Sequence, residues 1–210
     1  MSGVFLVGVG MTAFGKFTDL SVKAMTSLAL DRALTDAGCG PEAIEAAFFA
    51  NSTQGVLEGQ NSIRGQIALG AAGLNGIPIV NVDNACASGG TAFHLACAHV
   101  RSGLGDVALA LGCEKMYSTN KEKTFSVFNG GWDAEEAPRI VARLKHLGED
   151  VLPPAGTEEP EPKSAFLDIY AALASFCRET RNVPDRQDFR IFFLTRMCAV
   201  WHTYVHASQS

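Results

Sequence analysis

The chain has 210 residues, of which 47% are hydrophobic and 19% are charged, and its formal net charge is −5. A chain of this length forms one domain or two small ones and buries roughly 70% of its unfolded surface. The composition excludes an intrinsically disordered protein and a membrane bundle, and the mild acidity excludes the basic face that nucleic-acid binding needs. We therefore expect neither a nucleic-acid nor a membrane partner.

The N-terminal sequence and the cysteines indicate the compartment. Residues 1–8 contain neither the basic region nor the long apolar run of a secretory signal, and no apolar run in the sequence is long enough to span a bilayer. We therefore expect a cytoplasmic location. Irregular spacing without a CxxC pair predicts free thiols rather than disulfides or a zinc site for the six cysteines, which are Cys39, Cys86, Cys97, Cys113, Cys177 and Cys198.

Short apolar runs alternate with helical periodicities over the first half of the chain. Ser21 and Gly38 are expected to begin and end the first helix, and Ile63 is expected on the apolar face of the second. Strands alternating with helices predict an α/β fold, a mostly parallel sheet with helices on both faces. The predicted strands are residues 4–9, 44–51, 77–82 and 106–111, and the predicted helices are residues 22–37, 60–72 and 86–101.

The alternation stops after Met116, and the later sequence has a different character. All 21 glycines lie at or before Gly156, and residues 148–163 are rich in proline and glutamate. We expect an α/β domain with an incomplete sheet at residues 1–118. Residues 119–184 are expected to form an excursion from the sheet with one helix at 164–179, and residues 185–210 an atypical tail.

Cys86 has the sequence context of a nucleophile. It follows a predicted buried strand and a polar turn and precedes two glycines and a helix. Open α/β sheets place their sites at the carboxyl ends of strands, and a helix N-terminus favours a thiolate and supplies N–H groups for an oxyanion. The alternative is a small buried residue that fills a strand–helix corner. The other five cysteines are predicted to be packing residues.

Four segments resemble the thiolase family. Residues 84–89, NACASG, resemble its nucleophile motif, and residues 112–118, GCEKMYS, resemble the segment after its fourth strand. Residues 7–12, VGVGMT, and residues 51–55, NSTQG, fit as well. The similarity is greatest to the lipid-transfer-protein or sterol-carrier-protein-x type and covers roughly residues 4–184.

The resemblance implies an acyltransferase whose Cys86 is acylated by an acyl-CoA or 3-ketoacyl-CoA thioester, in lipid or steroid side-chain degradation. It implies coenzyme A thioesters as substrates, no permanently bound cofactor, and an excursion that covers the CoA and shapes the acyl pocket. It also implies dimers that pair sheet edges beside the strand at residues 77–82. The expected partner is a second copy, or another thiolase-like or accessory chain.

The acid and base groups that the resemblance leads us to expect are missing from this sequence. It contains neither the Gly-His-Pro segment nor the second, glycine-flanked cysteine segment of the family. His94 would lie roughly 12 Å from Cys86 along a helix, too far for a hydrogen bond, so His94 and His99 are read as helix-face residues. We do not expect the helically spaced pair His202 and His206 to bind metal, and we predict no metal site.

Two alternative functions stay open, and a dinucleotide-binding site is rejected. A steroid retro-aldolase related to the thiolases would share Cys86, and an inactive or partner-dependent subunit would explain the missing acid and base groups. We expect a truncated or frame-shifted product, or a natural half-length chain completed by another. The G-x-G-x-x-A pattern at residues 8–13 does not predict a dinucleotide site, because residues 14–20 lack helical character.

Overall fold

The structure is a computed structural model that describes residues 3–131 and 133–146. Its strands are β1 (Ala46–Ala50), β2 (Ile79–Val82) and β3 (Ala108–Gly112). Its helices are α1 (Val22–Ala37), α2 (Gln54–Glu58), α3 (Arg64–Ala71), α4 (Ser88–Arg101), α5 (Lys121–Ser126) and α6 (Ala137–His146), with 3₁₀ turns at Pro41–Ala43 and Val127–Gly131. Within these residues, no helix combines the length and apolar character needed to cross a bilayer.

The three strands form a parallel sheet, as the sequence predicts, and their order in the sheet is β2-β1-β3. β1 is central and apolar throughout, and its alternating side chains supply two cores. Phe49 packs with residues of α1 and α3 on one face, and Phe48 packs with Ala92 and Ala96 of α4 on the other. Helices therefore cover both faces of the sheet.

Helix α1 has the predicted bounds and the predicted ends. The Ser21 hydroxyl accepts a hydrogen bond from the Ala24 N–H at 3.2 Å, and Gly38 adopts the left-handed conformation that ends the helix. Val22, Met25 and Leu30 are buried on its inner face. α1 is thus fixed by its two end residues and by one apolar face.

The prediction of a strand at residues 4–9 is wrong. This segment forms no strand, and Phe5 and Val7 are largely exposed. In the described sheet β1 pairs with β2 and β3, and this segment adds to the outer edge of neither. The segment lies instead along α1, where the Val9 N–H donates to the Asp36 carboxylate at 2.8 Å. A side chain at Gly8 or Gly10 would collide with the α1 backbone, so these glycines permit the close approach.

The predicted helix at residues 60–72 is shorter in the structure, because it begins only at Arg64. Ile63 lies before it in the left-handed region, with φ +49°, and is 57% exposed rather than on the apolar face. A β-branched residue at positive φ is strained, and such a conformation persists only where the surrounding structure stabilises it.

The described residues divide into two compact units, residues 3–120 and residues from 121 onward. In the second unit, α5, a 3₁₀ turn and α6 occupy the first part of the predicted excursion, and the sequence analysis did not predict these helices. The rings of Phe125 and Phe128 lie 6.5 Å apart. The remaining excursion, the predicted helix at 164–179 and the tail at 185–210 lie outside the described residues, together with Cys177, Cys198, His202 and His206.

Candidate active site

Cys86 lies in the turn from β2 to α4, two residues before the first helical residue, and its side chain is exposed. The interpretation of Cys86 as a buried corner residue is therefore wrong. Ala85 before it has φ +47°, a conformation that costs an L-residue other than glycine about 1–2 kcal/mol. Such strain is typical of turns that present a functional side chain. The catalytic role of Cys86 stays a prediction.

Two side chains hold this turn. Asp83 Oδ1 accepts a hydrogen bond from the Ala85 N–H at 3.3 Å. The buried Ser88 hydroxyl accepts one from the Asn84 N–H at 2.8 Å and donates to the Ala85 carbonyl at 2.7 Å. The residues on both sides of Cys86 are thus tied down, while its thiol makes no hydrogen bond within the described part of the chain.

A polar network occupies the carboxyl edge of the sheet, where open parallel sheets place their sites. Asn51, 2% exposed, follows β1 and donates to the Cys113 carbonyl at 2.6 Å. Its Oδ1 accepts from Arg64 at 3.1 Å. Arg64 also forms an ion pair with Asp83 at 3.4 Å, so it links the end of β1 to the residue after β2.

Glu114, which follows β3, joins the same network. Its carboxylate accepts hydrogen bonds from the Ser52 N–H, the Thr53 N–H at 3.2 Å and the Thr53 hydroxyl, and from Asn51 Nδ2 at 3.3 Å. The ends of all three strands are therefore connected by side-chain hydrogen bonds. Charge-assisted bonds of this kind are stronger than neutral ones, so they fix the loop geometry around the turn.

The other described cysteines differ from one another. Cys97 and Cys113 are partly buried, which agrees with packing roles, but Cys39 is exposed, so its packing prediction is wrong. Cys39 directly follows the left-handed Gly38 that ends α1. Burial raises the pKa of the Cys113 thiol to about 11, so this thiol stays protonated near neutral pH.

His94 and His99 both lie on α4, as the sequence predicts. His94 is exposed on α4, and the His99 ring meets the Phe48 ring edge-on at 5.7 Å between centroids. Within residues 3–131 and 133–146, no group of three or more His, Cys, Asp and Glu side chains could hold a metal ion.

Three residues of this network were not among the predicted site residues: Arg64, Asp83 and Glu114. The segments at residues 51–55 and 112–118 enter the prediction only through the family resemblance. A usable signal was present, because polar residues follow each of three predicted parallel strands and such strand ends meet at one edge of a sheet.

Comparison with known proteins finds a thiolase family model that matches about the first two thirds of the chain, and relatives that match more than half of it. The family model described as "Thiolase, N-terminal domain" matches residues 4–139. Sterol carrier protein 2 of Gallus gallus is 39% identical over 125 residues, which cover 59% of this chain and 22% of that protein. The benzoylsuccinyl-CoA thiolase subunit BbsB of Thauera aromatica is 38% identical over 114 residues, covering 53% of this chain and 28% of that protein.

Acetyl-CoA acetyltransferase of Methanocaldococcus jannaschii is 38% identical over 116 residues, which cover 55% of this chain and 29% of that protein. The chain therefore spans less than a third of the length of these curated relatives. Among solved structures, 3-oxoacyl-[acyl-carrier-protein] synthase III from Aquifex aeolicus VF5 aligns with a TM-score of 0.44 and 19% identity, covering 52% of this chain and 34% of that chain.

Proposed function

The chain belongs to the thiolase family through its N-terminal domain, and we propose that it acts in thiolase-type acyl transfer on acyl-CoA or 3-ketoacyl-CoA thioesters, with Cys86 as the acylated residue. One observation carries the proposal. The Cys86 thiol is exposed on a strained turn at the carboxyl edge of a parallel sheet, beside a helix N-terminus.

In the degradative direction, the Cys86 thiolate attacks the keto carbon of a 3-ketoacyl-CoA. The bond between that carbon and the α-carbon then breaks, and its electron pair stays on the α-carbon, which takes up a proton. This step releases the smaller CoA thioester and leaves an acyl-cysteine. The thiolate of free CoA attacks the acyl carbon, which releases the shortened acyl-CoA and restores the Cys86 thiolate.

A role in lipid or steroid side-chain degradation is the more specific part of the proposal. Its support is the 39% identity to a protein named sterol carrier protein 2. Incubation with steroid side-chain and straight-chain 3-ketoacyl-CoA substrates tests it. CoA-dependent cleavage that favours the steroid side-chain substrate would support this role, and equal or faster cleavage of the straight-chain substrate would contradict it. Cleavage of a β-hydroxyacyl-CoA without free CoA would identify a retro-aldolase instead.

We propose that the protein acts together with a second chain. Among the described residues β2 pairs only with β1, and Val80 and Phe93 are each 43% exposed, which suits an edge that pairs with a second copy or a related chain. BbsB, a relative, is itself named a subunit.

The test is the intact mass and oligomeric state of the native protein, with identification of any co-purifying chain. We expect little or no turnover by the purified chain alone and CoA-dependent cleavage once its partner is present. Robust CoA-dependent cleavage of a 3-ketoacyl-CoA by the isolated chain would contradict the need for a partner. Turnover that persists after Cys86→Ser would contradict the role of Cys86.

A further inference from the structure

We propose that Asp83 is a positioning residue that sets the turn presenting Cys86, an inference that rests on the proposed function of Cys86. Its carboxylate accepts the Ala85 N–H at 3.3 Å, and Ala85 is the left-handed residue directly before Cys86. An aspartate that accepts the N–H two residues later forms a local turn of its own. Asp83 thus bonds the strained residue itself.

The turn needs such support, because alanine has no preference for positive φ. Ser88 holds the opposite side of the turn through the Asn84 N–H and the Ala85 carbonyl. Ser88 is 4% exposed and belongs to the first turn of α4, so it provides a rigid point of attachment. Between Asp83 and Ser88, the backbone on each side of Ala85 is fixed.

Asp83 is itself held from outside the turn. The Ser52 hydroxyl donates to its Oδ1 at 2.7 Å, and Arg64 pairs with its Oδ2 at 3.4 Å. The Arg64 side chain is only 13% exposed and also donates to the buried Asn51. The turn is therefore tied to the end of the central strand β1, and its geometry is set before a substrate arrives.

The test compares Asp83→Ala with Asp83→Asn in the full chain, with Asp31→Ala as a control that removes one exposed carboxylate from α1. Amide hydrogen exchange at Ala85 by NMR reports the turn, and the ratio of iodoacetamide labelling at Cys86 to that at the exposed Cys39 reports presentation of the thiol. Protection of the partly buried Cys113 from labelling shows that each variant is folded.

With Asp83→Ala we expect exchange at Ala85 to rise about tenfold or more, because local opening becomes easier, and the Cys86 to Cys39 ratio to fall severalfold. Asp83→Asn keeps an acceptor oxygen for the Ala85 N–H but replaces the Oδ2 atom that pairs with Arg64 by an N–H donor, so its effect should be clearly smaller than that of Asp83→Ala. Wild-type exchange and labelling in Asp83→Ala would overturn the proposal, and so would an equal loss in Asp83→Asn.

The design separates this inference from the proposed function. If Cys86 in the wild-type chain reacts no faster than Cys39, the nucleophile assignment fails, and Asp83 loses its positioning role even where exchange at Ala85 responds. If wild-type Cys86 is selective and Asp83→Ala keeps that selectivity, only the role of Asp83 fails.

Discussion

Cys86 and Cys113 follow two strands of the same parallel sheet at the same edge, yet their thiols lie in opposite environments. The Cys113 thiol lies 3.9 Å from the Val22 carbonyl at the start of α1, and burial raises its pKa to about 11. The Cys86 thiol is exposed. A cysteine at the carboxyl end of a parallel strand is therefore not in itself a site. Whether its thiol is exposed depends on the element that covers the strand end.

The backbone explains the difference. Cys113 continues the ladder of β3, because its N–H donates to the Ala50 carbonyl at 3.1 Å, and its side chain then faces the α1 layer. Cys86 follows three residues that have already left β2, and the left-handed Ala85 turns the chain outward. One thiol is part of the sheet and its core, and the other is part of a turn.

The largest expected effect is the contrast in alkylation. At pH 8 a thiol with a pKa of about 11 is roughly 0.1% ionised, so Cys113 should react with iodoacetamide at least about 100-fold more slowly than an exposed thiol of ordinary pKa. Its rate should rise about tenfold per pH unit up to its pKa. Peptide mass mapping after timed labelling measures both rates, and equal rates for Cys113 and Cys86 at pH 8 would remove the contrast.

The raised pKa of Cys113 also makes the free energy of unfolding depend on pH. The unfolded chain releases this proton near pH 8.5 and the folded chain only near its raised pKa of about 11. The folded state therefore binds more protons in between, and the free energy of unfolding falls as pH rises through this window. Urea unfolding at several alkaline pH values should show less of this decline in Cys113→Ala.

Phe49→Ala should have the next largest effect. Phe49 is fully buried in the cluster that also packs against Cys113, and such truncations cost about 3–5 kcal/mol. Phe14→Ala, at a residue 79% exposed, is the matched control and should cost much less. Urea unfolding gives both values. A Phe49→Ala variant as stable as Phe14→Ala would contradict the described core.

Two glycine substitutions should act in opposite directions. A Cβ at Gly65 would lie 2.6 Å from the Phe49 Cβ, so Gly65→Ala must push α3 from the sheet, at about 1–3 kcal/mol. A Cβ at Gly90 in α4 meets nothing within 4 Å, so Gly90→Ala should stabilise the helix by roughly 0.5–1 kcal/mol. Thermal unfolding measures the change in melting temperature of each variant. A change of the same sign in both would contradict the described packing of α3.

A similarly small effect is expected from Ser21→Ala. It removes the hydroxyl that accepts the Ala24 N–H at the start of α1, which costs about 1 kcal/mol. Because Val22 at this end lies beside the Cys113 thiol, labelling of Cys113 should rise slightly while that of Cys86 stays constant. Ser62→Ala, at an exposed serine, should change neither rate. Equal labelling of Cys113 in the two variants would contradict a link between the cap and this thiol.

Predictions from the sequence are most accurate for elements whose bounds are determined by interactions between neighbouring residues. The bounds of α1 follow from Ser21, Gly38 and helical spacing, and the three strands found were among those predicted. Residues 4–9 have equally strand-like composition, but they lie along α1, where Gly8 and Gly10 permit a close approach to the helix backbone. Ile63 fits a helical face by spacing, yet it lies before α3, which begins at Arg64, and it has a positive φ.

In the candidate site, too, the local motif could be predicted from the sequence and the long-range contacts could not. A motif of six residues identified Cys86, whereas the hydrogen bonds that surround its turn join Ser52 to Asp83 and Thr53 to Glu114, which are 31 and 61 residues apart. Which polar strand-end residues meet depends on strand order, and strand order is a property of the sheet rather than of any segment.

The most direct test of the central claim is to locate the acyl group. The chain is incubated with an acyl-CoA thioester at mildly alkaline pH, and the modified residue is identified by peptide mass mapping, with Cys86→Ser as the control. We predict that the acyl group is found on Cys86 in clear excess over the exposed Cys39, is absent from Cys113, and is lost in Cys86→Ser. Equal acylation of Cys39 and Cys86, or acylation unchanged in Cys86→Ser, would contradict the assignment of Cys86 as the nucleophile.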